Sequence, residues 1–299
     1  MFLIPGIDPY YRTSFGAAYC GDSQKLTKAI PSNSINLIMT SPPFALTRKK
    51  EYGNVPADEY IEWFMPFAYD FHRILRPDGS LVLHIGGSWV RGKPIKNLYI
   101  FELLLRLCKD TKFNLAQDFY WFNKAKLPGP AQWVNVKRCR VKDAVDHLWW
   151  LSKSVTPKAD NTKVLQKYSK AMEELLEDPN YYKPGVERPS EHRITEKFHK
   201  KHKGAIPPNF LDFSNTNSQS KYLQMCRKSK LKSHPARYPL DLPCFFIKFL
   251  TDKGDVVFDP FGGSNTTGKA AEVLERRWLT FEIVPEYLEA SKFRFDFQP

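Results

Sequence analysis

Long apolar runs are missing from this chain, where no stretch approaches the ~18 uninterrupted apolar residues of a membrane-spanning helix. Cysteine is sparse and scattered. Cys20, Cys108, Cys139, Cys226 and Cys244 form no C-x-x-C pair, and the seven histidines do not cluster. That pattern argues against a disulfide framework and against a bound metal, and it suits a reducing cytosol. The opening Met-Phe-Leu-Ile-Pro-Gly-Ile-Asp has no basic start and no sustained apolar segment, so no signal peptide is expected there. Acidic residues are in deficit as well. Asp and Glu number 32 against 45 Lys and Arg, a formal net charge of +13. The excess fits a polyanionic partner such as nucleic acid, although ribosomal proteins, membrane-surface proteins and many enzymes share it.

What is present is enough for a core. Of 299 residues, 42% are hydrophobic and 14% aromatic, which supports one large α/β domain with a smaller lobe and excludes wholesale disorder. Residues 34–40 (S-I-N-L-I-M-T) form a short apolar run ending at Ser41-Pro42-Pro43, and predict a buried strand that meets a rigid turn. A helix over about 58–75 follows, closed by Arg76-Pro77-Asp78-Gly79. Further strands are predicted at 80–85 and 115–122, with a helix at 97–110 between them. Strand and helix in alternation predict a doubly wound, mostly parallel sheet. The rhythm breaks after about residue 153. Residues 154–233 carry nearly twice as many basic as acidic side chains, several prolines and a polar run at 214–220. One helix is predicted there, at 162–177, within an insert that is either a solvated surface excursion or a lobe facing nucleic acid. Alternation then returns, with helices at 240–250, 266–275 and 285–295 and strands at 255–258 and 278–281. The chain thus divides into 1–153, an insert at 154–233, and 234–299.

Two short segments carry chemistry. Residues 255–268 (D-V-V-F-D-P-F-G-G-S-N-T-T-G) read as strand, glycine-rich turn and helix start, which brings backbone close to a ligand and presents free amides. Glu282 closes the next strand 19 residues after Gly263, where an acid can accept hydrogen bonds from ribose hydroxyls. Together they point to a nucleoside cofactor. A phosphate-binding loop is the competing reading of residues 263–270 (G-S-N-T-T-G-K-A), but Ala270 stands where the magnesium-binding hydroxyl belongs. The second segment, Thr40-Ser41-Pro42-Pro43-Phe44, lies at the carboxyl end of the first strong strand, where open α/β sheets place their crevices. Its prolines remove two amide donors and leave carbonyl acceptors. A serine hydroxyl and the Pro42 carbonyl could accept both N–H bonds of a ring amine, freeing a lone pair that is otherwise delocalised, while Phe44 stacks on the ring.

As a pair, these motifs resemble those of the β-class amino-methyltransferases, in which the catalytic motif precedes the cofactor motif. The longer strings T-S-P-P-F-A-L-T-R-K-K-E-Y-G-N, D-F-Y-W-F-N-K, H-P-A-R-Y-P and F-G-G-S-N-T-T-G resemble the PvuII-type cytosine-N4 DNA methyltransferases of restriction–modification systems, from about Tyr19 to the C-terminus. The resemblance implies an S-adenosylmethionine-dependent methyltransferase fold with circularly permuted motif order, and a smaller irregular DNA-recognition insert. It implies Ser41, Pro42, Pro43 and Phe44 as the catalytic motif. It implies Asp259, Pro260, Phe261, Gly262, Gly263, Ser264, Asn265 and Thr266 as the loop around the methionine part of S-adenosylmethionine, with His234 and Pro235 opening the stretch that lines the same pocket. Glu282 becomes the ribose acid and Asp22 the acid near the adenine amino group. Arg48, Lys49 and Lys50 are candidates for phosphate contacts, and Trp121 for a wall of the base pocket. His84 departs from the pattern, because some relatives carry an acid there that is proposed to assist the serine; it reads as a buried structural histidine, with bulk water taking the released proton. Pro243-Cys244, which resembles a carbon-5 methyltransferase nucleophile, reads as core.

The implied reaction is methyl transfer to a cytosine amine turned out of duplex DNA, without metal or covalent intermediate. Adenine-N6 methylation on the same scaffold and a non-enzymatic DNA-binding module are the alternatives. Asp or Asn first and Tyr fourth is the commoner adenine motif, so Ser41 and Phe44 favour cytosine. A monomer is expected, with a dimer left open, in a prokaryotic cytoplasm and associated with the nucleoid.

Overall fold

The computed structural model describes residues 1–46, 53–178, 200–215 and 220–295. Two compact units emerge: Met1–Ala159 together with Asn209–Pro299, and Asp160–Pro208. The first is built on one nine-stranded sheet. Its strands are β1 (Tyr11–Arg12), β2 (Gly16–Cys20), β3 (Ile35–Thr40), β4 (Leu75–Ile85), β5 (Asn114–Phe122), β6 (Val145–Ser152), β7 (Phe210–Leu211), β8 (Val256–Asp259) and β9 (Arg277–Glu282), in the order β1-β2-β9-β8-β3-β4-β6-β5-β7. The five strands from β2 to β4 run parallel, while β6 is antiparallel to both β4 and β5.

Burial on both faces explains the central strands. Every residue of β3 and of β8 is buried, as a parallel sheet covered by helices requires. One cover is α2 (Tyr60–Ile74), which turns Tyr60, Phe64, Phe67 and Phe71 into the core. Others are α1 (Ser23–Lys28), α3 (Tyr99–Asp110), α6 (Asp241–Leu250), α7 (Thr266–Val273) and α8 (Pro285–Ser291). From β3 the chain crosses by α2 to β4 on one side, and from β8 by α7 to β9 on the other. The strand order therefore reverses between β3 and β8, the kind of point outside whose carboxyl ends open α/β sheets bind their ligands.

Several details differ from the sequence-based expectations. Arg76–Gly79 are not a turn outside the sheet but a bulge in β4, where pairing jumps from Ile35↔Leu75 to Leu37↔Ser80. Strands β1, β2, β6 and β7 were not anticipated, because β1, β2 and β7 are short and β6 interrupts the strand–helix rhythm with an antiparallel return. The second unit is narrower than 154–233. Residues 209–233 belong to the first unit, where β7 pairs with β5 and α5 (Lys221–Lys228) packs through Tyr222 and Cys226 on Ala290 and Phe293. Within the second unit the helix anticipated at 162–177 is shorter: a 3-10 turn occupies Asn161–Val164, and α4 starts at Lys170 behind the capping hydroxyl of Ser169. Among the described residues no helix is long and apolar enough to cross a membrane, and no His, Cys, Asp or Glu group is arranged to hold a metal.

Candidate active site

Adjacent strands deliver the two motifs to one place. β3 and β8 are paired, Leu37 with Val257 and Ile38 with Phe258, so residues 41–44 and 259–266 leave the same edge side by side. A buried contact ties them. Thr40, the last residue of β3, donates its hydroxyl to Asp259 Oδ1 at 2.7 Å. Asp259 also accepts from the Phe261 amide at 3.1 Å, from Thr267 Oγ1 at 2.7 Å and from the Tyr238 hydroxyl at 3.3 Å. Burial pushes its carboxyl up, against four donors that favour the charged form. With all four bonds made inside the protein, Asp259 fixes the Ser-Pro-Pro-Phe turn, the glycine loop and residue 238 relative to one another.

The Ser-Pro-Pro-Phe turn is held at both ends. Tyr60 of α2 donates to the Pro43 carbonyl at 2.9 Å, whereas the Pro42 carbonyl receives no hydrogen bond from the described residues. Ser41 Oγ lies 2.9 Å from His84 Nδ1. The Phe44 ring stands edge-on to His84, with centroids 5.4 Å apart. Gly86 makes room for it, since a Cβ there would come within 2.6 Å of the Phe44 ring.

In the glycine loop the side chains are held by neighbouring elements. Gly262 has no space for a side chain, because a Cβ would lie 2.0 Å from Thr280 Oγ1. Gly263, at φ +51°, packs beneath the His234 imidazole. Asn265 is in the left-handed region and caps α7, with Oδ1 accepting from the Gly268 amide at 3.0 Å and Nδ2 donating to the Tyr11 hydroxyl at 2.9 Å. Ser264 Oγ accepts from Arg294 at 2.9 Å and lies 3.3 Å from Thr266 Oγ1. Pro260 gives its carbonyl to Ser23, and Phe261 packs on Trp63 and Phe67. Glu282, at the end of β9, accepts the Gly263 amide at 2.8 Å and the Val284 amide at 2.9 Å, and burial raises its carboxyl. Asp22 caps α1, accepting from the Gln24 amide at 2.8 Å, and follows Cys20, which pairs with Glu282.

A family profile, N6_N4_Mtase, described as DNA methylase, matches residues 35–293. The chain belongs to this DNA methylase family. Among its relatives, the type II methyltransferase M.PvuII of Proteus hauseri is 51% identical over 97% of this chain and 86% of that protein. M.HpaI of Haemophilus parainfluenzae is 25% identical over 93% of this chain and 73% of that protein. The solved PvuII DNA methyltransferase, described as cytosine-N4-specific, superposes with a TM-score of 0.80 at 45% identity, covering 98% of this chain and 90% of that one.

Within the DNA methylase scaffold, other candidates fall into three groups. Trp121 is buried beside His84, 5.4 Å between rings, and its indole N–H donates to the Phe213 carbonyl at 2.8 Å; only its face is left to border a pocket. His234 is held by its own loop, Nδ1 being 2.6 Å from the Ala236 carbonyl oxygen, with the ring on Tyr287 and burial lowering its pKa; Pro235 beside it is exposed. Arg48, Lys49 and Lys50 lie outside the described residues. Sequence reasoning missed three things. Tyr238 reaches Asp259 from the Ala-Arg-Tyr-Pro run, whose motif character was the only signal. Asp146 and Lys126 stand behind His84, on a strand and a loop that carry no motif. The β5–β6 connection, 123–144, leaves the same sheet edge with Lys124, Lys126, Lys137, Arg138, Arg140 and Lys142 on it.

Proposed function

We propose that this DNA methylase transfers a methyl group from S-adenosylmethionine to the N4 amine of a cytosine in duplex DNA. It would serve as the protecting partner of a restriction–modification pair, on nucleoid DNA in a prokaryotic cytoplasm. The observation that carries the reading is the Thr40–Asp259 bond at 2.7 Å, which holds the Ser-Pro-Pro-Phe turn against the glycine loop. The likeness to M.PvuII and to the cytosine-N4-specific PvuII structure supports it.

The glycine loop fits the cofactor. Gly262 leaves no room for a side chain, and Gly263, at φ +51°, only a tight one beneath His234, so backbone can approach a ligand closely. Glu282 accepts from the Gly263 and Val284 amides, and a carboxylate with about four lone-pair sites keeps acceptor capacity for ribose hydroxyls. Asp22 would border the adenine amine, and residues 259–266 with His234 and Pro235 the methionine portion. When bound, the cofactor supplies a methyl group on a sulfonium, already poised to leave as a neutral thioether.

The chain's own residues then position and polarise. A paired cytosine hides its amine in the stack, so the nucleotide must rotate out into the crevice. Ser41 Oγ and the Pro42 carbonyl accept its two N–H bonds and direct the nitrogen lone pair, while Phe44 faces the ring. The basic β5–β6 connection supplies phosphate contacts, and the insert centred on Asp160–Pro208 reads the target. Mass spectrometry of nucleosides from DNA of an expressing host should find N4-methylcytosine. It should be absent with Ser41→Ala, whose cofactor affinity stays intact. N6-methyladenine instead, or full turnover by Ser41→Ala, would overturn the assignment.

A further inference from the structure

Behind Ser41 the sheet buries a line of polar groups that core packing does not require. Ser41 Oγ is 2.9 Å from His84 Nδ1. The other ring nitrogen, Nε2, is buried without a hydrogen-bond partner and faces Asp146 Oδ2 at 3.8 Å. Asp146 Oδ1 in turn accepts from Lys126 Nζ at 2.6 Å. Each group comes from a different element: the turn after β3, strand β4, strand β6 and the β5–β6 connection. His84 is only 5% exposed and Asp146 7%. A buried imidazole between a hydroxyl and a carboxylate has one favourable tautomer, with its proton on the nitrogen facing the carboxylate. Nδ1 is then the acceptor, the Ser41 O–H donates to it, and both Ser41 lone pairs turn to the crevice.

We propose that His84, oriented by Asp146, is the positioning residue that aims Ser41 at the target amine and receives the proton lost after methyl transfer. This rests on the cytosine-N4 reading. As the N4–methyl bond forms and the carbon–sulfur bond breaks, the amine becomes cationic. Its N–H bond then breaks and an Oγ–H bond forms on Ser41, while the original Ser41 proton moves to His84 Nδ1. The positive charge ends on the imidazolium and leaves later as a proton to water. Ser41 is unchanged overall. Burial pushes the Asp146 carboxyl up, but His84 and Lys126 outweigh it and hold it at about 2, so a carboxylate awaits the imidazolium. Among the described residues the rings packed on the imidazole are those of Phe44, Trp121 and Tyr238, the last bonded to Asp259 and Thr267.

The test is the pH profile of single-turnover methylation of a duplex by wild-type, His84→Asn and Asp146→Asn proteins. The wild-type rate should fall about tenfold per pH unit on the acid side, because an imidazolium donates to Ser41 instead of accepting from it. His84→Asn keeps an acceptor near the Nδ1 position but cannot take a proton. Its rate should drop by about 10²–10⁴-fold and its acid limb should vanish, with cofactor binding retained. Asp146→Asn should slow transfer and move the limb to lower pH. A His84→Asn protein with the wild-type limb and rate, or an Asp146→Asn protein whose limb has not moved, overturns the relay. Nucleoside analysis of the wild-type product separates the two ideas. Without N4-methylcytosine the reaction itself is misassigned; with it, an unmoved limb sinks the relay alone.

Discussion

Replacing Gly86 by alanine tests whether the Phe44 ring is the surface that faces the target base. Gly86 follows the last residue of β4, and its carbonyl accepts from the Tyr99 hydroxyl, so its backbone is held. A methyl group there would stand 2.6 Å from Phe44 Cε2 and 2.8 Å from Cδ2. Ordinary contacts begin at 3.4 Å, so the ring edge must retreat by about 1 Å, and a displacement of that size at a reacting centre costs about 10²-fold in rate. Overpacking costs about 1–3 kcal/mol, or roughly 2–10 °C in melting temperature for a domain of this size. The neighbouring glycine supplies the control: a Cβ at Gly87 meets nothing within 4 Å. Single-turnover transfer with saturating DNA, beside a calorimetric cofactor Kd, should show Gly86→Ala slowed about 10²-fold at unchanged cofactor affinity, and Gly87→Ala near wild type. Equal rates for the two variants would refute the placement of Phe44 against the base.

Three further outcomes follow from the geometry. Glu282→Ala should weaken cofactor binding at least about tenfold, since a lost charged acceptor costs about 1.5–3 kcal/mol; an unaltered dissociation constant by calorimetry would move the ribose site elsewhere. Asp146 has its folded pKa depressed to about 2 from 3.8, so its stabilisation, about 2 kcal/mol, is present above pH ~4 and lost as pH falls through ~2. Urea unfolding of the wild type should show that loss and Asp146→Asn should not; parallel curves would mean that Lys126 and His84 do not hold the carboxylate. Binding to duplex DNA should weaken steeply with salt, with a log–log slope of about −4 or steeper if five or so phosphates are neutralised; a slope near zero would remove the basic loop from the interface.

Much of the scaffold was legible because its signals are local. Apolar runs such as Ile35–Thr40 and Val256–Asp259 have to be buried strands, and the Pro-Pro and Gly-Gly turns mark where those strands end. The resemblance supplied the permuted order. What stayed hidden depends on contacts between distant positions. His84 reads as an ordinary buried residue until β6 brings Asp146 to its far side, and β6 was itself invisible in the strand–helix rhythm. Asp259 carried a motif label for the cofactor, yet its four bonds go to Thr40, Phe261, Thr267 and Tyr238. Asn265 likewise spends its side chain on Tyr11 and Gly268, and Ser264 on Arg294. A motif names positions where a family constrains the residue, but only the folded chain distinguishes touching the ligand from holding the backbone that does.

The hydrogen bond from Thr40 to Asp259 spans 219 residues, and β3 has β8 and β4 as its two neighbours. During synthesis Ser41 therefore leaves the ribosome long before the strand that anchors its turn. Until the last strands dock, β3 lacks one flank and Ser41 has no cofactor loop beside it. Assembly of the turn and the loop therefore waits for a late step, when the second half of the sheet closes on the first.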